Sequence, residues 1–324
     1  MLSQTRGNRV LQYLLVLVTA ITINFLLPRY MPGNPLTLLA GVDVGEMTPD
    51  QRAEVLEEAG LNKPLYAQYF SYWGDLLTGD FGYSYRQNRP ITELLMDRLP
   101  WTLLITGTAL TISAFFGVIL GAISAWRRAS VMDVSMLWSL IAVDSVPSFW
   151  LGMLLISLVS VQYGWLPSFG AVTPASGYVG MERFVDIIKH AILPIITLSV
   201  ISTPGVYVTM RYTMLSVLGQ DFIRTARAKG LSETAVLFRH VIRNSMAPVV
   251  TVLMLRLGFA FGGTVVIETV FSYPGLGRLI FEAVSGRDYP VMQAAFLLFT
   301  IAVLLSNLLA ELLYPLLDPR TKES

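Results

Sequence analysis

The sequence predicts an all-α polytopic membrane protein with six transmembrane helices, on three observations. Of 324 residues, 54% are hydrophobic and only 14% charged. The mean hydropathy is +0.59. Six apolar runs, 11–28, 101–126, 134–161, 187–213, 247–271 and 291–314, match the roughly 20 helical residues needed to cross a bilayer core of about 30 Å. Each run is apolar on all sides, whereas a surface helix of a soluble protein keeps one apolar stripe. That disfavours a soluble helical bundle.

Composition removes several chemistries. With 23 Lys and Arg against 22 Asp and Glu the net charge is +1, so no global basic field exists to collect nucleic acid. The absence of cysteine excludes a disulfide framework, an iron–sulfur cluster, a cysteine zinc site and thiol catalysis. Two histidines, His190 and His240, leave little for a histidine metal site, and His190 reads as an interface residue at the edge of the fourth run.

The first run follows Arg6 and Arg9, as a secretory signal would, but leads into Pro28-Arg29-Tyr30-Met31-Pro32, with no pair of small residues to be cleaved. Residues 1–28 are therefore read as a short N-terminal tail and a retained first helix. Residues 29–100 read as an extracytoplasmic helical region in which ten acids exceed six bases. Thr48-Pro49-Asp50-Gln51 has the spacing of a capping box with proline at the first helical position, and Gly60 supplies a stop. A second helix should run over 64–78 and end at Gly79. Its Tyr66, Tyr69, Phe70, Tyr72 and Trp73 suit packing at the membrane interface, or a docking face for an external partner.

Residues 101–324 read as a five-helix core with a cytoplasmic segment at 214–246 and a short cytoplasmic C-terminus. Orientation follows from positive charge. With the N-terminus inside, the inner segments hold twelve basic residues: Arg6, Arg9, Arg127, Arg128, Arg211, Arg224, Arg227, Lys229, Arg239, Arg243, Arg320 and Lys322. The short outer loops hold four, Arg183, Lys189, Arg278 and Arg287. The excess places both termini in the cytoplasm.

Segment 214–246 carries the most information. Asp221 can cap a short helix, Gly230 can end it in a left-handed conformation, and Ser232 followed by Glu233 can begin another running toward Met246. Between them Ala226 and Ala228 permit close backbone approach, while Arg224, Arg227 and Lys229 carry charge. From these residues alone, a basic loop held by anionic lipid is the competing reading.

RTARAKGL (224–231) followed by HVIRNSMAP (240–248) resembles the permease signature of binding-protein-dependent ABC importers, in its dipeptide/oligopeptide/nickel form. The broader signature opens Glu-Ala-Ala with a glycine four residues after the second alanine. Here Arg224 and Thr225 replace the first two residues, while Ala226 and Gly230 keep the spacing. MPGNPL (31–36), GLNKPLYAQY (60–69), TGDFGYSY (78–85), PSFWLGMLL (147–155), ETVFSYPGLGRLIFEAV (268–284) and RDYPVMQ (287–293) extend the resemblance over nearly the whole chain.

The resemblance implies a type I importer permease, one half of a translocation path for peptide-like solutes. It implies that Arg224, Thr225, Ala226, Arg227, Ala228, Lys229, Gly230 and Leu231 form a coupling helix seated on an ATPase, with His240, Arg243 and Asn244 in the same signature. The implied partners are a second, homologous permease, two ATP-binding ATPase subunits, an extracytoplasmic binding protein and the lipid bilayer. The same machinery in related systems carries nickel chelates, glutathione or oligosaccharides. No Gly-Lys-Ser or Gly-Lys-Thr P-loop occurs in the chain, so the resemblance places ATP and Mg in the partner ATPases and no cofactor in this chain.

Charges within the apolar runs are costly in lipid and usually face a bundle interior or a water-filled path. Asp144, Arg256, Glu268 and Glu311 are four such residues. Asp144 and Arg256 are expected along the path, pairing with each other or meeting opposite ends of a zwitterionic solute. A structural ion pair between helices explains them equally well. Glu268 is a further path candidate, although holding its own loop is the plainer role. Glu311 reads as a snorkelling or interhelical group.

Two other classes fare worse. An intramembrane protease would need a Gly-x-Ser-x-Gly nucleophile with a histidine, or a His-Glu-x-x-His helix, and neither occurs. An ion-coupled secondary transporter would show inverted repeats and coupling acids in broken helices; Asp144 is the sole acid near a midplane.

Overall fold

The computed structural model describes residues 6–30, 48–58, 62–84 and 86–317. The Gly60 stop and the MPGNPL segment lie outside the described residues. The chain packs as two compact units, Met1–Trp101 with Pro274–Ala302, and Thr102–Tyr273 with Val303–Ser324.

The first unit begins with α1, Arg6–Tyr30. Helix α2, Pro49–Glu58, opens with the capping box read from sequence. Thr48 N–H donates to Gln51 Oε1 at 3.0 Å and Gln51 N–H donates to Thr48 Oγ1 at 3.4 Å, satisfying two groups a helix start otherwise leaves open. Helix α3, Leu65–Thr78, ends at Gly79 with φ +76°, the left-handed cap expected of glycine.

Helix α3 packs on α1. The hydroxyls of Thr22 and Tyr69 share a 2.7 Å hydrogen bond, the Phe25 and Tyr69 rings meet edge to face at 5.1 Å, and Arg29 donates to Gln68 at 3.0 Å. Burial pushes the Tyr72 phenol up to about 12. Tyr66 and Phe70 stay exposed on the other side. The aromatic cluster thus divides between intramolecular packing and an open face.

A two-stranded antiparallel ribbon, β1 Tyr83–Ser84 and β2 Arg89–Pro90, follows α3. Ser84 donates to Asp288 at 2.5 Å and Arg86 to the Gly286 carbonyl at 2.8 Å. These contacts fasten the ribbon to the end of α12, Leu276–Gly286.

Helix α4, Ile91–Trp126, and helix α7, Gly180–Leu218, have 36 and 39 residues. At 1.5 Å per residue they are about 54 and 58 Å long, well beyond the bilayer core. Within the second unit they approach closely because two α4 glycines lack side chains. A Cβ on Gly117 would lie 2.6 Å from Val206 Cβ, and one on Gly121 would lie 2.7 Å from the Tyr207 carbonyl. Such small-residue contacts let helix backbones pack where no water drives association.

The third apolar run is not one straight helix. Helix α5, Val131–Asp144, and helix α6, Ser148–Leu155 continuing in wider turns over Ile156–Gln162, meet at 92°. Pro147 carries no N–H and disfavours helical geometry at Val146, so the chain turns there.

The fifth run also differs from expectation. Its helix starts at Ser232, whose hydroxyl accepts the Ala235 N–H at 3.3 Å, not near 247. It passes through α9, Glu233–Ala235, wider turns over Val236–Ile242, and α10, Arg243–Gly263. The second helix of segment 214–246 and the fifth span are therefore one rod. Helix α11, Val265–Val270, follows, and α13, Tyr289–Leu317, supplies the last span.

Among the described residues four helices are long and apolar enough to cross a membrane, and the bent α5–α6 pair makes a fifth if it counts as one span. Leu11–Leu27 within α1 is a shorter apolar segment. The second, third, fourth and sixth runs fall on these spans, the first on the shorter segment, and the fifth extends past Gly258 into α11.

Candidate functional site

Helix α8, Asp221–Ala228, occupies the connection between α7 and the α9–α10 rod. Gln220, not Asp221, is the N-cap residue. Asp221 lies in the first turn and Arg227 in the last, where each complements the helix dipole.

Two faces of α8 differ sharply. Ile223 and Ala226 are buried and join Met214, Val217, Val236 and Val241 in one apolar cluster, flanked by Phe222 and Leu231. Arg224, Thr225, Arg227, Ala228 and Lys229 are exposed. Ala226 is thus the close-approach residue toward the chain's own core, and Ala228 is the small residue left facing outward.

The helix end is rigidly built. Gly230 has φ +78°; its N–H donates to the Arg227 carbonyl at 2.9 Å, and Leu231 N–H donates to the Ala226 carbonyl at 3.3 Å. This is a Schellman motif, which needs a left-handed residue where Gly230 stands. Across the bend Arg227 clamps Glu233 with bonds of 2.9 and 3.0 Å. A cavity of about 390 Å³ opens beside the clamp, lined also by Trp126 and Arg128.

His240, Arg243 and Asn244 follow on the rod at the i, i+3 and i+4 spacing of one helix face. Asn244 donates to the His240 carbonyl at 2.6 Å. His240 is half-buried, while Arg243 and Asn244 are exposed.

A buried polar knot that the sequence reading missed sits where α4, α5 and α7 meet. Arg211 donates to both carboxylate oxygens of Asp133, at 2.7 and 2.9 Å. Asp133 also accepts from the Ala129 N–H at 2.9 Å and from the Ser124 hydroxyl. Ser124 shares a 2.7 Å bond with Tyr207. By sequence Arg211 is one of the twelve inner basic residues, with no partner indicated. The capping-box spacing from Ser130 to Asp133 was a usable signal, and Ser130 Oγ accepts the Asp133 N–H at 3.2 Å.

At the N-terminal part of α7, Asp186 accepts from the Thr173 N–H and hydroxyl, both at 2.7 Å. His190 is buried, with Nδ1 2.8 Å from the Asp186 carbonyl oxygen. Among the described residues no cluster of three metal-ligating side chains occurs.

The charges inside the runs separate. Arg256, half-buried in α10, donates from Nη1 to the Ser202 carbonyl at 3.2 Å and lies across Gly205, where a Cβ would be 2.0 Å from Nη2. It lines a cavity of about 360 Å³ together with Ser202, Thr264 and Thr106. Asp144 is exposed at the end of α5 and acts on Arg256 only through space. The two do not form an ion pair within 4 Å, so the direct pairing considered from sequence is not made. Glu268 is fully buried and accepts from the Thr102 hydroxyl at 2.7 Å. It holds helices together and is not among the cavity-lining residues. Glu311 is half-buried in α13.

Long apolar helices, a charged group set in an apolar wall, and a stiff helix bridging two spans define an all-α polytopic membrane protein, and its relatives make it a transport subunit rather than an enzyme. The chain belongs to the family described as binding-protein-dependent transport system inner membrane component, which residues 117–323 match. Residues 5–106 match the N-terminal membrane component of such systems.

Among curated relatives, the oligopeptide transport system permease protein AppB of Bacillus subtilis is 36% identical, covering 97% of both chains. The dipeptide transport system permease protein DppB of Escherichia coli is 37% identical over 94% of each. The glutathione transport system permease protein GsiC of the same species is 39% identical over 96% of this chain and 98% of its own. A crystal structure of an amino acid ABC transporter with histidines aligns at TM-score 0.52 and 16% identity, over 69% of this chain and 94% of that one. At that identity the likeness concerns the fold.

Proposed function

We propose that this chain forms half of the translocation path of an ATP-driven importer for peptide-like solutes, and that α8 is its coupling helix. The observation that carries the coupling role is the two-faced seating of α8. Ile223 and Ala226 lock it to the chain's own core, while Arg224, Thr225, Ala228 and Lys229 are left open to a partner. A helix that transmits displacement must not slip on its base, and the Gly230 cap with the Arg227–Glu233 clamp serves that need. The names of the relatives support a peptide-like solute, and the glutathione permease fits the same chemical class.

In this reading α8 and both termini lie in the cytoplasm, and 29–100 lies outside, with the division into 1–28, 29–100 and 101–324 kept as functional regions. The partners are a second, non-identical permease, two ATPase subunits holding ATP and Mg, and an external binding protein. ATP-driven closure of the ATPases moves α8 and its rod, opening the path outward to accept solute; hydrolysis resets it. Arg256 belongs to the path wall, with Asp144 at its edge and Glu268 as a buried support.

Replacing Ala228 by Trp on the open face tests the coupling role. ATP-dependent uptake by the reconstituted importer should collapse while the chain still folds in the membrane. Uptake that stays tied to nucleotide turnover after Arg224, Ala228 and Lys229 are all replaced overturns the assignment.

A further inference from the structure

The cavity around Arg256 holds more polar capacity than the chain uses. A guanidinium carries five N–H donors, yet the one hydrogen bond it makes among the described residues runs from Nη1 to the Ser202 carbonyl. No carboxylate of the described residues lies within ion-pair distance. Two further groups in the same cavity are open: the Thr106 and Thr264 hydroxyls are buried, at 7% and 2% exposure, without a hydrogen-bond partner among the described residues. The rest of the wall is largely apolar, with Ala109, Leu110, Leu198 and Ile201. Buried polar groups are ordinarily paired, since leaving one unmet costs free energy.

The three open groups share one chemistry. A cation with a planar fork and two hydroxyls, set in a low-dielectric wall, matches a carboxylate, which accepts from guanidinium in bidentate fashion and takes hydroxyl donors on its remaining lone pairs. The volume of about 360 Å³ lies at the lower end of small-ligand cavities. The seat is specific to arginine's reach, because Gly205 leaves the space that Nη2 fills.

We propose that this cavity is a carboxylate-binding subsite that holds the free C-terminal carboxylate of a peptide in transit. The inference rests on the permease reading and adds the group recognised. Asp144, exposed nearby and unpaired with Arg256, leaves the guanidinium available to the solute.

The test uses the complete importer purified without its external binding protein and without nucleotide, so that neither ATP coupling nor delivery enters the measurement. Equilibrium binding of radiolabelled alanyl-alanine is compared with that of its C-terminal amide. Wild type should favour the free acid by on the order of tenfold or more, as a charge-assisted bidentate contact implies. Arg256→Gln should abolish that preference, Arg256→Lys should keep part of it, and Gly205→Ala, which touches no solute, should mimic Arg256→Gln by displacing the guanidinium. Thr106→Val and Thr264→Val should each weaken acid binding by a smaller factor.

Equal binding of acid and amide by wild type overturns the proposal. So does an undiminished preference in Arg256→Gln, which would assign the guanidinium to a carboxylate of the second permease instead. Loss of ATP-coupled uptake in the wild-type complex would defeat the permease reading but would leave this binding comparison to stand or fall separately.

Discussion

The α4–α7–α8 region and the Arg256 cavity treat polar groups in opposite ways. At the base of α8 and in the Asp133 knot the polar groups are paired: Arg211 with Asp133, Arg227 with Glu233, and the α8 carbonyls with the Schellman N–H groups. In the cavity, a guanidinium and two threonine hydroxyls leave hydrogen-bonding capacity open. Satisfied polarity fixes one geometry and suits transmission of force. Unsatisfied polarity in a defined wall keeps a place for something that arrives and leaves.

The contrast breaks first at Asp133. Asp133→Ala strands the Arg211 guanidinium inside the protein and should cost about 3–5 kcal/mol, seen as a large fall in thermal unfolding temperature of the detergent-solubilised chain. The double variant with Arg211→Met should recover much of that loss; a double variant no better than the single one would mean the knot acts by packing alone. Next, Ile223→Ala removes a fully buried side chain beneath α8 and should cost roughly 2–4 kcal/mol. It should also uncouple uptake from nucleotide turnover, because the helix loosens on its base.

Smaller still, Gly230→Ala forces a Cβ into a left-handed position at about 1–2 kcal/mol, measurable by denaturant titration. Smallest is Arg227→Ala. Arg227 and Glu233 are 43% and 59% exposed, so solvent screening should hold the stability change below about 1 kcal/mol. A larger value would show that the clamp is structural, and would blur the distinction between the base of α8 and its open face.

Local signals carried much of the fold in the sequence. The Thr48–Gln51 capping box, the Gly79 stop and the left-handed Gly230 are each decided within a few residues, and each stands as read. The apolar runs located the helices for the same reason. What escaped depended on distance. The Asp133–Arg211 pair joins residues 78 apart in sequence, and neither end announces the other. Pro147 stands inside the third run, but nothing local to it sets a turn of 92°, because the angle depends on what α5 and α6 pack against. Arg256 was visible as a costly charge, yet its open neighbours Thr106 and Thr264 were two threonines among many until the helices brought them together.

The rod that begins at Ser232 runs as one helix at least to Gly258, and Arg256 lies about 36 Å along it at 1.5 Å per residue. On the proposed coupling, the bend and the Arg256 guanidinium share one axle, so that a shove or twist delivered at the bend would carry along the rod to the cavity wall. The length of that axle also fixes its phase, since one inserted residue would swing everything beyond it by about 100°.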